Sequence, residues 1–190
     1  MLRVISGSAR GHKLKTPKGS STRPTTDRVK ESLFNIIAAY IPEAEVLDLF
    51  AGTGNLGIEA LSRGAANAVF ADKSAECVNI IKDNLNHTKL SDKAKVLSGD
   101  ASMVLMRLKN EGKRFDLIFL DPPYNTGLAQ EMLSGIAQYE LLKTDGLIVA
   151  ESDRQDTLPE NVGNLRLIRQ QKYGDTMLWL YKYGLDGNEN

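Results

Sequence analysis

Apolar residues in this chain recur with two periods, and the switches between them outline a fold. From Glu45 onward, short apolar runs alternate with stretches whose apolar positions return every three to four residues. Short runs read as buried strands and the longer spacing as helices. Strands are predicted at Val46–Phe50, Ala68–Asp72, Lys95–Ser98, Phe115–Leu120 and Leu147–Glu151. Helices fall between them: 55–63, stopped by Gly64; 74–87, with Ser74 as N-cap; a third through Val104, Leu105 and Leu108; and a fourth over Leu128–Tyr139. Leu165–Gln170 and Met177–Tyr183 are too close together for a crossover helix, so they are expected to pair antiparallel.

Upstream, Leu2–Ser6 and His12–Lys15 flank Gly7-Ser-Ala-Arg-Gly11 and predict a small β-hairpin. The Gly-, Ser- and Pro-rich segment 17–24 reads as a loop. A helix capped by Thr26 or Asp27 carries Val29, Leu33, Ile36, Ile37 and Tyr40 on one face and ends at Pro42. Repeated β–α units of this kind make an α/β domain with a mostly parallel sheet, here of seven strands, and helices on both faces. The expected division is a basic extension at 1–24, a main domain at 25–184 and a polar tail at 185–190.

Chemistry enters first at the turn leaving strand one. Gly52-x-Gly54-x-x-Gly57 opens a helix, and glycines there admit positive φ and bring backbone N–H groups close to a ligand. Asp48 lies inside that strand, where its carboxylate can meet a cationic or amine-bearing ligand. Asp72 follows Gly52 by 20 residues at the end of strand two, the place of an acid that binds ribose hydroxyls. This pair fits either a nicotinamide cofactor or S-adenosylmethionine. Ligands on such sheets sit at the carboxyl ends of the strands, so Asp48, Asp72, Asp100 and Asp121 are expected to converge on one crevice. Taken singly, each also reads as a turn or cap residue, Asp100 most readily.

Charge adds a partner. The net charge is zero, yet residues 1–30 hold eight Lys/Arg against Asp27 alone, leaving the rest of the chain at −7. A basic arm on an acidic body suits a polyanion approached from one side, the alternative being a solvated tail. The single Cys77 excludes an internal disulfide framework and a cysteine zinc cluster. His12 and His87 lie far apart in sequence and make a poor metal pair, so no metal is expected. No apolar run approaches the ~20 residues that span a bilayer, and a cytoplasmic, monomeric protein is the expectation.

The choice of ligand turns on Asp121-Pro122-Pro123-Tyr124. Two prolines after a buried strand remove two backbone donors, leaving acceptors beside an aromatic ring. Such a site suits a flat heterocycle with an exocyclic amine, which donates its N–H groups while its ring stacks on Tyr124. Accepting both N–H bonds favours a pyramidal nitrogen whose lone pair can attack a sulfonium methyl group in line. Asp121 can then help remove the proton.

This order of motifs resembles the class I S-adenosylmethionine-dependent methyltransferases of exocyclic amines, which have a Rossmann-like fold. More narrowly, the chain resembles the bacterial 16S rRNA guanine-N2 methyltransferase family. The resemblance rests on 3–7, 22–35, Asp48-Leu-Phe-Ala-Gly-Thr-Gly54, 59–65 and Leu120-Asp-Pro-Pro-Tyr124. It implies that Asp48 and the loop Phe50, Ala51, Gly52, Thr53 and Gly54 line the methionine part of the cofactor. Asp72, with Lys73 beside it, would hold the ribose, and Asp100 with Ala101 would face the adenine. Thr26, together with Thr25 and Arg28, would close over the cofactor. Asp121, Pro122, Pro123 and Tyr124 would hold a guanine of the small ribosomal subunit, turned out of its RNA. Arg3, Arg10, Lys13, Lys15 and Arg23 would grip phosphates of 16S rRNA within an assembled or assembling particle. Asp72 stands where this family is expected to carry Glu, and Asn55 replaces a small apolar residue.

Three other functions compete. A DNA adenine or cytosine amine methyltransferase shares Asp-Pro-Pro-Tyr, but no segment here is large enough for a target-recognition domain. A nicotinamide-dependent oxidoreductase fits the glycine spacing and leaves Asp-Pro-Pro-Tyr unexplained. A non-catalytic RNA-binding module would not need the full set of acids and glycines.

Overall fold

The computed structural model describes residues 2–17 and 27–184. The five predicted parallel strands are all present: β1 (Glu45–Leu49), β2 (Asn67–Asp72), β3 (Ala94–Ser98), β4 (Phe115–Leu120) and β5 (Leu142–Asp153). Between them run α2 (Asn55–Ser62), α3 (Ala75–Thr88), α4 (Ala101–Asn110) and α5 (Leu128–Gln138), and α1 (Asp27–Ile36) precedes β1. The sheet finishes with β6 (Asn161–Val162), β7 (Leu165–Tyr173) and β8 (Thr176–Tyr183), in the order β3-β2-β1-β4-β5-β8-β7-β6. It is therefore an eight-stranded mixed sheet rather than a seven-stranded one. The addition, β6, spans two residues, too few to leave a periodic signal.

Pairing is parallel from β3 to β5 and antiparallel from there on. Side chains alternate across each strand, so the apolar runs feed two cores. Val46, Phe70, Phe119 and Val149 face α1, α2 and α3, while Leu47, Leu49, Ile118, Leu120 and Ile148 face α4 and α5. Strands buried on both faces explain why their sequences are continuously apolar instead of alternating. β1 lies between β2 and β4, so chain direction across the sheet reverses there and a crevice opens at its carboxyl end.

The N-terminal segment departs from the hairpin expectation. Antiparallel pairing is confined to one bridge, Arg3 with Lys13, supported by Val4 N–H to the His12 carbonyl (3.0 Å) and Leu14 N–H to that of Leu2 (2.9 Å). Docking on α2 takes the place of a strand ladder. Ile5 and Ser6 donate their N–H groups to the Glu59 carboxylate (2.8 and 3.0 Å), and Ala9 N–H reaches Ser62 Oγ (2.9 Å). Gly7, at φ 86°, passes so close that a Cβ there would lie 1.8 Å from the Ser62 carbonyl oxygen. Glu59 is fully buried, as is Lys30 of α1, which lies 3.2 Å from it. Lys30 Nζ also donates to the Arg3 carbonyl and to Asn55 Oδ1 (2.7 Å). Asn55, the odd residue after the glycine turn, thus accepts a hydrogen bond from a buried ammonium.

Candidate active site

At the carboxyl end of β1 the chain must leave the sheet and start α2 within a few residues. Phe50, Gly52 and Gly54 all take positive φ (68°, 56° and 79°), and Gly54 is the α2 N-cap. For Phe50 that conformation costs on the order of 1–3 kcal/mol, strain of the kind held at ligand sites. A Cβ built on Gly52 would meet nothing within 4 Å, so the loop opens onto free space. Gly57 serves packing: a Cβ there would lie 2.3 Å from Phe70 of β2, so only glycine lets α2 settle on the sheet.

Asp48 is buried and accepts Gly57 N–H (2.9 Å), inside the first turn of α2. Desolvation pushes its pKa up to about 7, the Gly57 hydrogen bond opposing and Asp72 adding to the rise. Asp72 binds the loop from the next strand. Its Oδ2 accepts Gly52 N–H (2.9 Å) and its Oδ1 accepts Ser74 N–H (2.9 Å). Ser74 caps α3 as expected, accepting Cys77 N–H.

Asp100 is the N-cap of α4, where Ser102 donates both its N–H and its hydroxyl to Oδ1. Those bonds lower its pKa, with a smaller pull from Lys73. Its capping role is therefore certain, and it stands at the solvent edge of the crevice beside exposed Lys73 and half-buried Ala101.

Across the switch point, Asp121 follows the last residue of β4. Leu120 pairs with Ala150, so Asp121, the first residue past β4, comes beside Glu151, which continues in β5 paired with Leu178 of β8. Desolvation raises the pKa of Asp121 well above the carboxylate range, with the Glu151 and Asp48 charges adding to it. Glu151, almost fully buried, is also raised by desolvation, opposed by Tyr124, whose hydroxyl donates to Glu151 Oε1 (3.0 Å). Tyr124 remains 42% exposed even with its hydroxyl bound. Pro122 is buried, Pro123 is exposed, and the Pro123 carbonyl is taken by Thr126 Oγ1 (2.7 Å). A shallow cavity beside them is lined by residues 122–127, Glu151, Ser152 and Leu158 among others. Ser152 there accepts a hydrogen bond from Trp179 Nε1 (2.9 Å).

Asp48, Asp72, Asp121 and the glycine turn are therefore brought together, with Asp100 on the rim. Arg3, Arg10, Lys13 and Lys15 are exposed on the N-terminal segment. Arg3 pairs with Asp27 (2.9 Å) and Lys15 with Asp83 (2.8 Å), exposed contacts of small energy. Thr26 and Arg23 lie outside the described residues. The histidines, remote in sequence, meet in space with ring centroids 5.2 Å apart.

Two residues had no assigned role in the sequence reading. Glu151 carried the signal already read at Asp121, an acid ending a buried strand. Asn84 carried none, being one polar residue among several on α3. It is buried and bonds the N-terminal segment twice, accepting Lys15 N–H (2.8 Å) and donating to the Lys15 carbonyl (3.1 Å). The same amide donates to the Thr53 carbonyl in the glycine turn (2.9 Å).

A glycine turn at the switch point, facing Asp-Pro-Pro-Tyr on the adjoining strand, is the arrangement of Rossmann-like methyltransferases, and this fold and site are of that class. The family described as "Conserved hypothetical protein 95" matches residues 2–182. A Bacillus subtilis protein named "Putative rRNA methyltransferase YlbH" is 46% identical over 95% of this chain and 98% of its own length. The Escherichia coli protein "Ribosomal RNA small subunit methyltransferase D" is 35% identical over 100% of this chain and 93% of its own. A solved structure described as "Putative methyltransferase yhhF from Escherichia coli" superposes with a TM-score of 0.85 at 36% identity, covering 97% of this chain and 99% of that one. The chain belongs to this methyltransferase family.

Proposed function

We propose that the protein transfers a methyl group from S-adenosylmethionine to the exocyclic N2 amine of a guanine in 16S rRNA. The observation that carries this reading is the position of Asp121, set in a site of acceptors across the switch point from the glycine turn. The turn fits the cofactor because it has no side chain at Gly52 and opens onto free space. Asp48 and Asp72 place negative charge where a cationic, ribose-bearing molecule would lie. Asp72 already orders the loop through Gly52 and would meet the ribose with its remaining lone pairs. Asp100 and Ala101 form the adenine end, with Lys73 beside them. When bound, the cofactor supplies a methyl group made electrophilic by its positive sulfur.

The protein's own residues orient the amine and take its proton. The Asp121 carboxylate and the Pro122 carbonyl accept the two N–H bonds, turning the nitrogen lone pair toward the methyl group. With the cofactor bound, the N–C bond would form as its S–C bond breaks, that bond's electron pair staying on sulfur. The proton released from nitrogen passes to Asp121, whose raised pKa suits it to receive one. Tyr124, with its hydroxyl fixed by Glu151, stacks on the base.

The names of the relatives support an RNA target in the small subunit. The basic segment carrying Arg3, Arg10, Lys13 and Lys15 runs beside the glycine turn, held there by Asn84, so phosphates gripped by the arm would lie next to the crevice. A monomer acting in the cytoplasm on an assembling subunit fits this arrangement.

Asp121→Ala tests the reading. Methyl transfer to small subunits should fall by at least about 10³-fold, while calorimetry should show S-adenosylmethionine affinity within a few-fold of the parent. Transfer at the parent rate would remove Asp121 from its role.

A further inference from the structure

We propose that Glu151 is a specificity-determining residue that reads the N1–H of guanine, so that the site rejects bases presenting an acceptor at that position. The inference rests on the methyl-transfer reading above and deepens it. Guanine offers two adjacent kinds of donor on its pairing edge, N1–H and the N2 amine. Adenine offers an amine beside an unprotonated ring nitrogen, and cytosine does the same. Asp-Pro-Pro-Tyr alone supplies acceptors for an amine and does not tell these bases apart.

The second acceptor comes from the neighbouring strand. The β4–β5 register sets Glu151 beside Asp121 at the same level of the sheet edge, and Glu151 lines the cavity formed by residues 122–127. Glu151 is 6% exposed, and the Tyr124 hydroxyl donates to its Oε1 at 3.0 Å. That bond fixes the carboxylate's rotation and ties it to the ring on which the base stacks. Oε2 is left to accept N1–H while Asp121 accepts from N2. Burying a second carboxylate beside Asp121 works against stability, since each desolvated charge opposes the other, and a donor-rich ligand edge offsets that cost. Adenine would place its N1 lone pair against the carboxylate, an uncompensated repulsion in a dry site. Rejection by an unpaired buried polar group is the strong form of discrimination.

The test uses GMP, IMP and AMP as competitors of methyl transfer to small subunits prepared from cells lacking the protein. The phosphate and sugar are constant across the three, and IMP keeps N1–H without the amine. With the parent enzyme, GMP and IMP should inhibit at concentrations about tenfold or more below AMP. Glu151→Gln keeps an acceptor for Tyr124 but offers an amide at the base. It should bring the three inhibition constants within about threefold and lower kcat/KM for the subunit about 10- to 100-fold. S-adenosylmethionine affinity should stay constant. Glu151→Asp should restore part of the base order; a merely structural role would not move that order. If AMP inhibits the parent as well as GMP, or if the order persists in Glu151→Gln, the assignment to Glu151 is wrong. If the parent methylates no guanine in the subunit, the failure lies with the methyl-transfer reading instead.

Discussion

Asp48 shows how a single residue can be poor for the fold and useful to the site. Its pKa near 7 means that the folded protein keeps this proton over a range where the unfolded chain, with an ordinary value near 4, has lost it. The native state binds more protons between those limits, so this carboxyl makes stability fall as pH rises from about 4 to 7. Asp48→Asn keeps an acceptor for Gly57 N–H and removes the buried charge. The variant should match the parent in urea denaturation near pH 4 and exceed it at pH 8, by on the order of 2 kcal/mol. It should also bind S-adenosylmethionine about tenfold more weakly, because a charge opposite a cation has gone. Equal stability at pH 8 would show that Asp48 is not held against its solvation preference. The acid itself was legible from its place in the strand. Its hydrogen bond to Gly57 was not, since that depends on how closely α2 approaches β1.

Among the secondary-structure elements, strands were the most legible because burial on both faces leaves a continuous apolar run. The Phe115–Leu120 boundaries agree to the residue, and the other parallel strands start within a residue of expectation except β5. There the strand begins at Leu142, five residues early, through polar Lys143-Thr-Asp-Gly146 that pattern alone reads as a turn. Phe115 pairs with Leu142, and the register shifts before Leu117 meets Leu147, so an irregular start is absorbed by a bulge. The helix predicted to run to Pro42 ends at Ile36 and continues as a single 3-10 turn over Ala38–Tyr40.

The N-terminal segment is the clearest case of tertiary contacts overriding local pattern. Alternation suggested a hairpin, whereas buried groups from α1, α2 and α3 hold the segment instead. Asn84→Ala removes three hydrogen bonds at one buried point and should cost about 2–3 kcal/mol. Amide exchange at Lys15 should quicken well before global unfolding, and cofactor affinity should drop as Thr53 loses its support. Unchanged protection at Lys15 would mean that the clamp contributes nothing in solution.

For the whole molecule, the charge division was visible in sequence and its geometry was not. Residues 1–30 carry +7, and of these Lys15 is tied through Asn84 to Thr53 of the glycine turn, while the −7 body includes the acids of the crevice. Neutralising Arg10, Lys13 and Lys15 together should weaken subunit binding and flatten the dependence of log affinity on log salt by about two units. An unchanged slope would return the segment to an ordinary solvated surface.

The most direct test is product mapping. Small subunits from a strain lacking the protein are incubated with it and methyl-labelled S-adenosylmethionine, and the RNA is digested to nucleosides. The label should appear as N2-methylguanosine in 16S rRNA, at one guanine, and vanish with Asp121→Ala. Label on adenine or cytosine, label at another guanine atom, or no label at all would contradict the assignment.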